Sequence, residues 1–289
     1  MEQKIPFAQD QSKNPPPING FEVLLRRFAR SAYAASVLVL YGLASMAIGA
    51  ALAPGIWVAR SVLSLTDGAP EGFAGLLWEG FAYGLAFFTS GVALMITVAV
   101  LNAILPTKIK PFKGGYYSIH ALPWFLHNGL FYLVRFTFLP FATLTPFGVL
   151  FLKAMGMKIG KHAFINTEYI SDPQLIEIGD DVALGGSVRI FAHYGGGGNL
   201  VIAPVKIADR VTLGSGVCLM GDVIVEEGAT ILPQSVLLPG SRVPKGATWG
   251  GVPAQPIPRE EMVKIKRRIR GLPLETPVTS PDEGNAPNV

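Results

Sequence analysis

The stretch IADRVT LGSGVC LMGDVI VEEGAT ILPQSV LLPGSR VPKGAT, residues 207–248, decides the fold. Ile207, Leu213, Leu219, Val225, Ile231, Leu237 and Val243 stand at an unbroken interval of six, and four positions after each comes a small residue or valine: Val211, Val217, Val223, Ala229, Ser235, Ser241 and Ala247. An α-helix turns every ~3.6 residues and a strand alternates at every second residue, so neither keeps an aliphatic on one face at this spacing. A parallel β-helix does. Each hexad forms one flat side of a triangular prism, the aliphatic points to the axis, and the small residue fits where the chain turns.

Working outward, the register continues upstream with interruptions. Ile159 and Ile165 are six apart, with Ala163 and the ill-fitting Tyr169 in the small slot; Ile178, Leu184 and Ile190 then align with Val182 and Val188. From Ile190 to Ile207 the interval is 17, which is not a multiple of six. The chain must therefore leave the coil and return, and the excursion holds His193, Tyr194 and the run Gly195 to Gly198. The coil region is expected over residues 156–257.

Composition attaches this coil to a membrane. Of the 289 residues 50 % are hydrophobic and only 15 % charged, too apolar for an average soluble enzyme. The excess lies in the first half: no charged residue occurs between Arg30 and Arg60, or between Glu79 and Lys108. Each stretch exceeds the ~20 residues that cross a hydrocarbon core as a helix. After a polar and basic leader, residues 1–30, two transmembrane helices are expected within residues 31–113. The leader, with three successive prolines, does not suit a cleavable signal peptide.

Residues 114–155 leave two readings open. His120, His127 and Arg135 fall in this apolar region, and Pro123, Pro140 and Pro146 divide it. A cation is costly in lipid and proline removes backbone donors. Interfacial or re-entrant helices are favoured over a third span. Arg26, Arg27 and Arg30 before the first span and Lys108, Lys110 and Lys113 after the second place both termini in the cytoplasm by the positive-inside rule, with a multi-pass anchor in the cell membrane. The net charge of +4 fits an anionic bilayer surface rather than nucleic acid, because the basic residues flank the apolar spans. Residues 258–270 read as a basic amphipathic helix, with Met262, Ile265 and Ile269 on one face, that rests on the bilayer or closes the coil. Residues 271–289 are expected to be disordered. Cys218, the sole cysteine, has no partner for an internal disulfide.

The hexads, the His193 excursion and the closing Val243-Pro-Lys-Gly-Ala-Thr-Trp-Gly-Gly-Val-Pro-Ala-Gln-Pro-Ile257 resemble the hexapeptide-repeat acyltransferases, which fold as left-handed parallel β-helices. That resemblance implies a thioester donor, coenzyme A or a carrier-protein phosphopantetheine, held in part by Trp249, Gly250, Gly251, Pro253 and Ala254. A second resemblance takes in Leu139 to Leu150, Met155-Gly-Met-Lys-Ile-Gly160, Thr167, Asp172-Pro173, His193 and Trp249. These are similar to the carboxy-terminal membrane units of poly-lysine synthetase-type nonribosomal peptide synthetases, which implies joining a thioester-carried aminoacyl group to an amine. It also implies a possible carrier-protein partner, and the wider family implies a homotrimer.

Acyl transfer needs a base for the incoming hydroxyl or amine and donors for the oxyanion. Histidine suits the first task, and His193 is the histidine that stands at the excursion, where the family keeps its base. Glu168 and Asp172, about a coil earlier, and Ser187, where many family members carry an asparagine, are the candidates to orient it or to bind the acceptor. Glu168 and Asp172 read equally well as solvated turn residues. No metal is expected, since the coil offers only His162 and His193 where the zinc enzymes of this fold use three histidines. A non-catalytic membrane scaffold is the rival reading.

Overall fold

The structure is a computed structural model that describes residues 20–66, 72–116, 118–196 and 199–269. The tail beyond Gly271, most of the leader and the tip Gly197–Gly198 lie outside the described residues.

The hexads build a parallel β-solenoid of about five turns. One face stacks Lys158–Ile159, Ile176–Ile178, Val205–Ile207, Val223–Val225 and Arg242–Val243 in parallel; the other two stack Phe164–Ile165 through Thr248–Gly250 and Ile170–Ser171 through Val236–Leu237. Val205 pairs with Val223, Thr212 with Thr230 and Cys218 with Val236, so one turn is made of three hexads. Leu219, Val225, Leu237 and Val243 are fully buried, as are the corner residues Val211, Ala229 and Ser235. The fourth residue of each hexad is left-handed: Arg210, Gly216, Asp222, Gly228, Gln234, Gly240 and Gly246 all have positive φ. Glycine takes that conformation without a Cβ penalty, and the repeat places it at four of these seven corners.

Two departures from the three-hexad turn occur, both in the early coils. Lys158 pairs with Glu177 and Ile170 with Ile190, each partner lying slightly more than three hexads on; the surplus is taken up around Asp172 and a 3-10 turn, Pro173–Leu175. The second departure is the excursion. Ile176 pairs with Val205, well beyond a three-hexad step, so the surplus chain between them is extruded from the coil. It forms an antiparallel hairpin of His193–Gly196 and Asn199–Ile202, to which Phe112–Gly115 adds a third strand. The excursion is thus largely a strand pair, and a side chain at Gly195 would collide with Tyr116.

Seven helices are described: α1 (Gly20–Arg27), α2 (Ala29–Leu63), α3 (Phe73–Ile104), α4 (Leu122–Arg135), α5 (Leu139–Ala142), α6 (Pro146–Ala154) and α7 (Arg259–Ile269). Among them α2 and α3 are long and apolar enough to cross a membrane, and they pack along each other while leaving Leu38, Trp57, Leu76 and Phe81 exposed. Close approach is permitted at Gly55, where a Cβ would press on the carbonyl of Ala86. Residues 114–155 form no comparable helix; α4, with 14 residues, is their longest. Its Leu130, Phe131 and Val134 are buried in a core continuous with the solenoid interior.

Candidate active site

One face of α4 carries Trp124, Asn128, Tyr132 and Arg135, spaced so that successive members lie one turn apart. This stripe packs on the outer side of Ile170–Ser171 and Arg189–Phe191, where both interruptions of the repeat emerge.

His193 starts the extruded hairpin and its Nδ1 lies 2.6 Å from Oδ2 of Asp172. Asp172 is 0 % exposed and left-handed, with φ 60°. Its second oxygen, Oδ1, accepts hydrogen bonds from Trp124 Nε1 and Asn128 Nδ2, each at 2.7 Å, while Asn128 Oδ1 accepts from the Asp172 amide at 3.4 Å. A buried carboxylate demands such donors, and all three side-chain partners supply them. With Asp172 as acceptor the imidazole proton sits on Nδ1, which leaves the Nε2 lone pair free as a base. The His193 side chain is 24 % exposed, open to a substrate on one edge. Trp124 meets it edge-on at 5.2 Å between ring centroids and Phe191 at 6.1 Å.

Of the three candidate partners, Asp172 is the one that contacts His193 among the described residues. Glu168 is half-buried and makes no ion pair or side-chain hydrogen bond among the described residues. Ser187 is exposed and left-handed, an ordinary hexad corner one face before His193, and His162 is a corner of the same kind that faces Asp181.

Beneath the dyad lies a second polar cluster. His127 Nδ1 is 2.8 Å from Oδ1 of Asn102, on α3, and 3.0 Å from Nε2 of Gln174, on the 3-10 turn after Asp172. The neutral ring donates to the former or accepts from the latter. Gln174 also donates to the Thr107 carbonyl and accepts from the Ile109 amide. Burial drives the pKa of His127 down to about 4, against the pull of Asp172, so this ring is uncharged at neutral pH. Burial also raises the Tyr132 phenol, whose oxygen is 2.7 Å from Ser171 Oγ. The cluster ties the end of α3 to the turn that carries Asp172.

The donor-site candidates lie at the far end of the solenoid. Thr248–Gly250 folds back on Gln255–Pro256, the Ala254 amide bonds the Val236 carbonyl, and Ala254 is buried while Gly251 and Pro253 are exposed. A Cβ on Gly250 would press on Ile257 and Leu232. The buried Trp249 Nε1 has no partner among the described residues. Leu184, Leu213, Ile231 and Trp249 stack in successive turns, so at ~4.8 Å per strand the last turn is roughly 14 Å along the axis from the turn of His193. Among the described residues no cluster could hold a metal.

No family model matches the chain. It is 31 % identical over 120 residues to the delta-poly-L-ornithine synthetase of Acinetobacter baumannii, a stretch that is 41 % of this chain and only 9 % of that protein. Among solved structures it is similar to a hexapeptide-repeat acetyltransferase of Vibrio cholerae complexed with acetyl coenzyme A, with 26 % identity, coverage of 36 % of this chain and 60 % of that one, and a TM-score of 0.33. It is also similar to a galactoside acetyltransferase in complex with coenzyme A, with 18 % identity, coverage of 48 % and 85 %, and a TM-score of 0.36.

Proposed function

We propose that this protein is a membrane-anchored acyltransferase that moves an acyl or aminoacyl group from a pantetheine thioester to an amine or hydroxyl acceptor, with His193 as general base. The observation that carries this reading is the His193–Asp172 contact, made between the two interruptions of an otherwise regular solenoid and held by Trp124 and Asn128. The solenoid core alone requires neither residue.

In the proposed reaction Nε2 takes the proton of the acceptor as its nitrogen or oxygen attacks the thioester carbonyl. The tetrahedral intermediate expels the thiolate, which recovers the proton from the imidazolium. Buried Asp172 holds the ring in its Nδ1–H tautomer and balances the charge that the ring carries meanwhile. A donor that rests on Trp249 to Ala254 needs an extended arm to bring its thioester to His193, which is what pantetheine provides. Likeness to a synthetase of poly-ornithine over a short part of its length favours an amine acceptor and an aminoacyl donor.

In this reading α2 and α3 cross the bilayer, α4 to α6 lie at its surface with Phe136, Phe141, Phe147 and Leu150 exposed toward it, and α7 stays near it. The flanking lysines and arginines put the solenoid in the cytoplasm, where coenzyme A and carrier proteins occur. A homotrimer, by analogy with the fold's acyltransferases, would complete the donor groove between neighbouring solenoids.

Purified full-length protein supplied with acyl-CoA or an aminoacylated carrier protein, and with a panel of amines and alcohols, tests the reaction. Turnover that disappears in His193→Ala supports it; no product from any pair, or full turnover in the variant, rejects it. A reporter active only in the cytoplasm, fused after the solenoid, tests the orientation. A signal from the opposite side would require a donor that reaches the site from outside the cytoplasm.

A further inference from the structure

Arg135 ends the polar stripe of α4, and the reaction as proposed does not use it. It is 7 % exposed, and no carboxylate pairs with it among the described residues. Tyr132, Phe136 and Tyr169 lie 5.0, 5.1 and 5.6 Å from its guanidinium carbon. Those rings cover faces of the group, but a guanidinium carries its five N–H donors in its plane. Ser171 Oγ accepts from Nη1 at 3.2 Å and the Tyr132 hydroxyl is also within the guanidinium's reach, but the buried Nε has no partner among the described residues. A nearly buried cation whose Nε–H has no acceptor is costly, and an oxyanion laid against that edge would relieve the cost.

Position would give an anion at this edge a role. Ser171 adjoins Asp172 in the chain and pairs with Phe191, which touches His193, so Arg135 and the dyad share one outer face. Asn128 and Arg135 are two helical turns apart on one helix, on the order of 10 Å at ~1.5 Å per residue. We propose that Arg135, with Ser171 and Tyr132, is the subsite for an oxyanion on the acceptor, and that it selects amines carrying a carboxylate or phosphate within about 10 Å of the nucleophile. The inference builds on the acyltransferase reading. An amino acid and a phospholipid headgroup are the two sources of that chemistry.

Binding separates this subsite from catalysis. Lysine, lysinamide and glycerophosphoethanolamine are titrated into full-length protein in detergent, as wild type, His193→Ala, Arg135→Gln and Arg135→Lys. The expected result is that lysine or glycerophosphoethanolamine binds wild type and His193→Ala at least ~10-fold more tightly than lysinamide, a difference of about 1.4 kcal/mol. Arg135→Gln erases the preference. Dependence of lysine alone on Arg135 identifies a free amino acid, and dependence of glycerophosphoethanolamine alone identifies a lipid headgroup. If Arg135→Gln does not fold, Arg135→Lys decides: it keeps the charge without the fork and should weaken the anionic probe several-fold while leaving lysinamide unchanged. Equal affinity for anionic and amide probes in wild type, or a preference untouched by the Arg135 variants, overturns the subsite. Full turnover in His193→Ala would instead strike the proposed base and leave the subsite standing.

Discussion

Residues 205–248 and residues 156–203 follow the same hexad pattern, yet the proposed catalytic pair lies in the second region. In the first, pairing advances by three hexads at every step, each aliphatic is buried, and each fourth residue turns left-handed. In the second, pairing overshoots three hexads, slightly from Lys158 to Glu177 and from Ile170 to Ile190, and by a whole hairpin from Arg189 to Cys218. The surplus is what builds the proposed site: one insertion sets Asp172 in a buried left-handed turn and the other starts with His193, and the two meet across adjacent turns.

The sharpest way to break the comparison is to damage the regular part. Leu219→Asp puts a carboxylate into a fully buried aliphatic stack and is expected to cost several kcal/mol, on the order of the penalty for an unpaired buried charge. Glu226→Asp, at an exposed corner, should leave the melting temperature unchanged. Equal melting of Leu219→Asp and wild type would show that the hexad register does not hold the fold.

Next in size is His193→Ala in the interrupted part, expected to lower turnover on the order of 10²- to 10⁴-fold with the melting temperature preserved, because this side chain lies outside the stack. Circular dichroism and the acyl-transfer assay on one preparation check both halves of the statement.

His127 gives a pH-dependent signature. Its pKa is about 4 when folded, against 6.5 for an unperturbed histidine, so between those values the unfolded chain binds more protons. Stability is complete above about pH 6.5 and falls as the pH drops toward 4, by an amount on the order of 3 kcal/mol. Melting temperatures across that window should decline in wild type and flatten in His127→Gln. An unchanged slope in the variant would assign the acid sensitivity elsewhere.

The smallest effect concerns the support of Asp172. Asn128→Leu removes one of its donors and is expected to cost roughly 1–2 kcal/mol in orienting the dyad, about a tenfold loss of turnover. A wild-type rate would mean that α4 holds the turn without contributing to the base.

The solenoid is readable because its determinants recur every six residues, and the position of His193 is readable from a single broken interval, Ile190 to Ile207. The identity of its partner is not. Asp172 and Glu168 both lie about one coil before His193 and Ser187 one hexad before it, so spacing does not single one out, and the choice among them depends on how the chain absorbs its surplus residues around Pro173. Trp124 and Asn128 escape sequence reasoning for a different reason. They reach Asp172 across 48 and 44 residues, a contact with no local signature. A hint does exist in the spacing of Trp124, Asn128, Tyr132 and Arg135, a polar stripe along a helix in an apolar region. By sequence Arg135 argues against a third span as a cation unsuited to lipid. The structure buries it against the solenoid instead.

The central claim is that the two interruptions act as one unit, and a double-mutant cycle on turnover tests it most directly. His193→Ala, Asp172→Asn and the double variant are compared in the same assay, with melting temperatures confirming that each is folded. The account predicts that Asp172→Asn alone lowers the rate strongly and that adding it to His193→Ala changes nothing further, since an orienting carboxylate has no function without its histidine. Losses that multiply in the double variant, or a wild-type rate in Asp172→Asn, would contradict it.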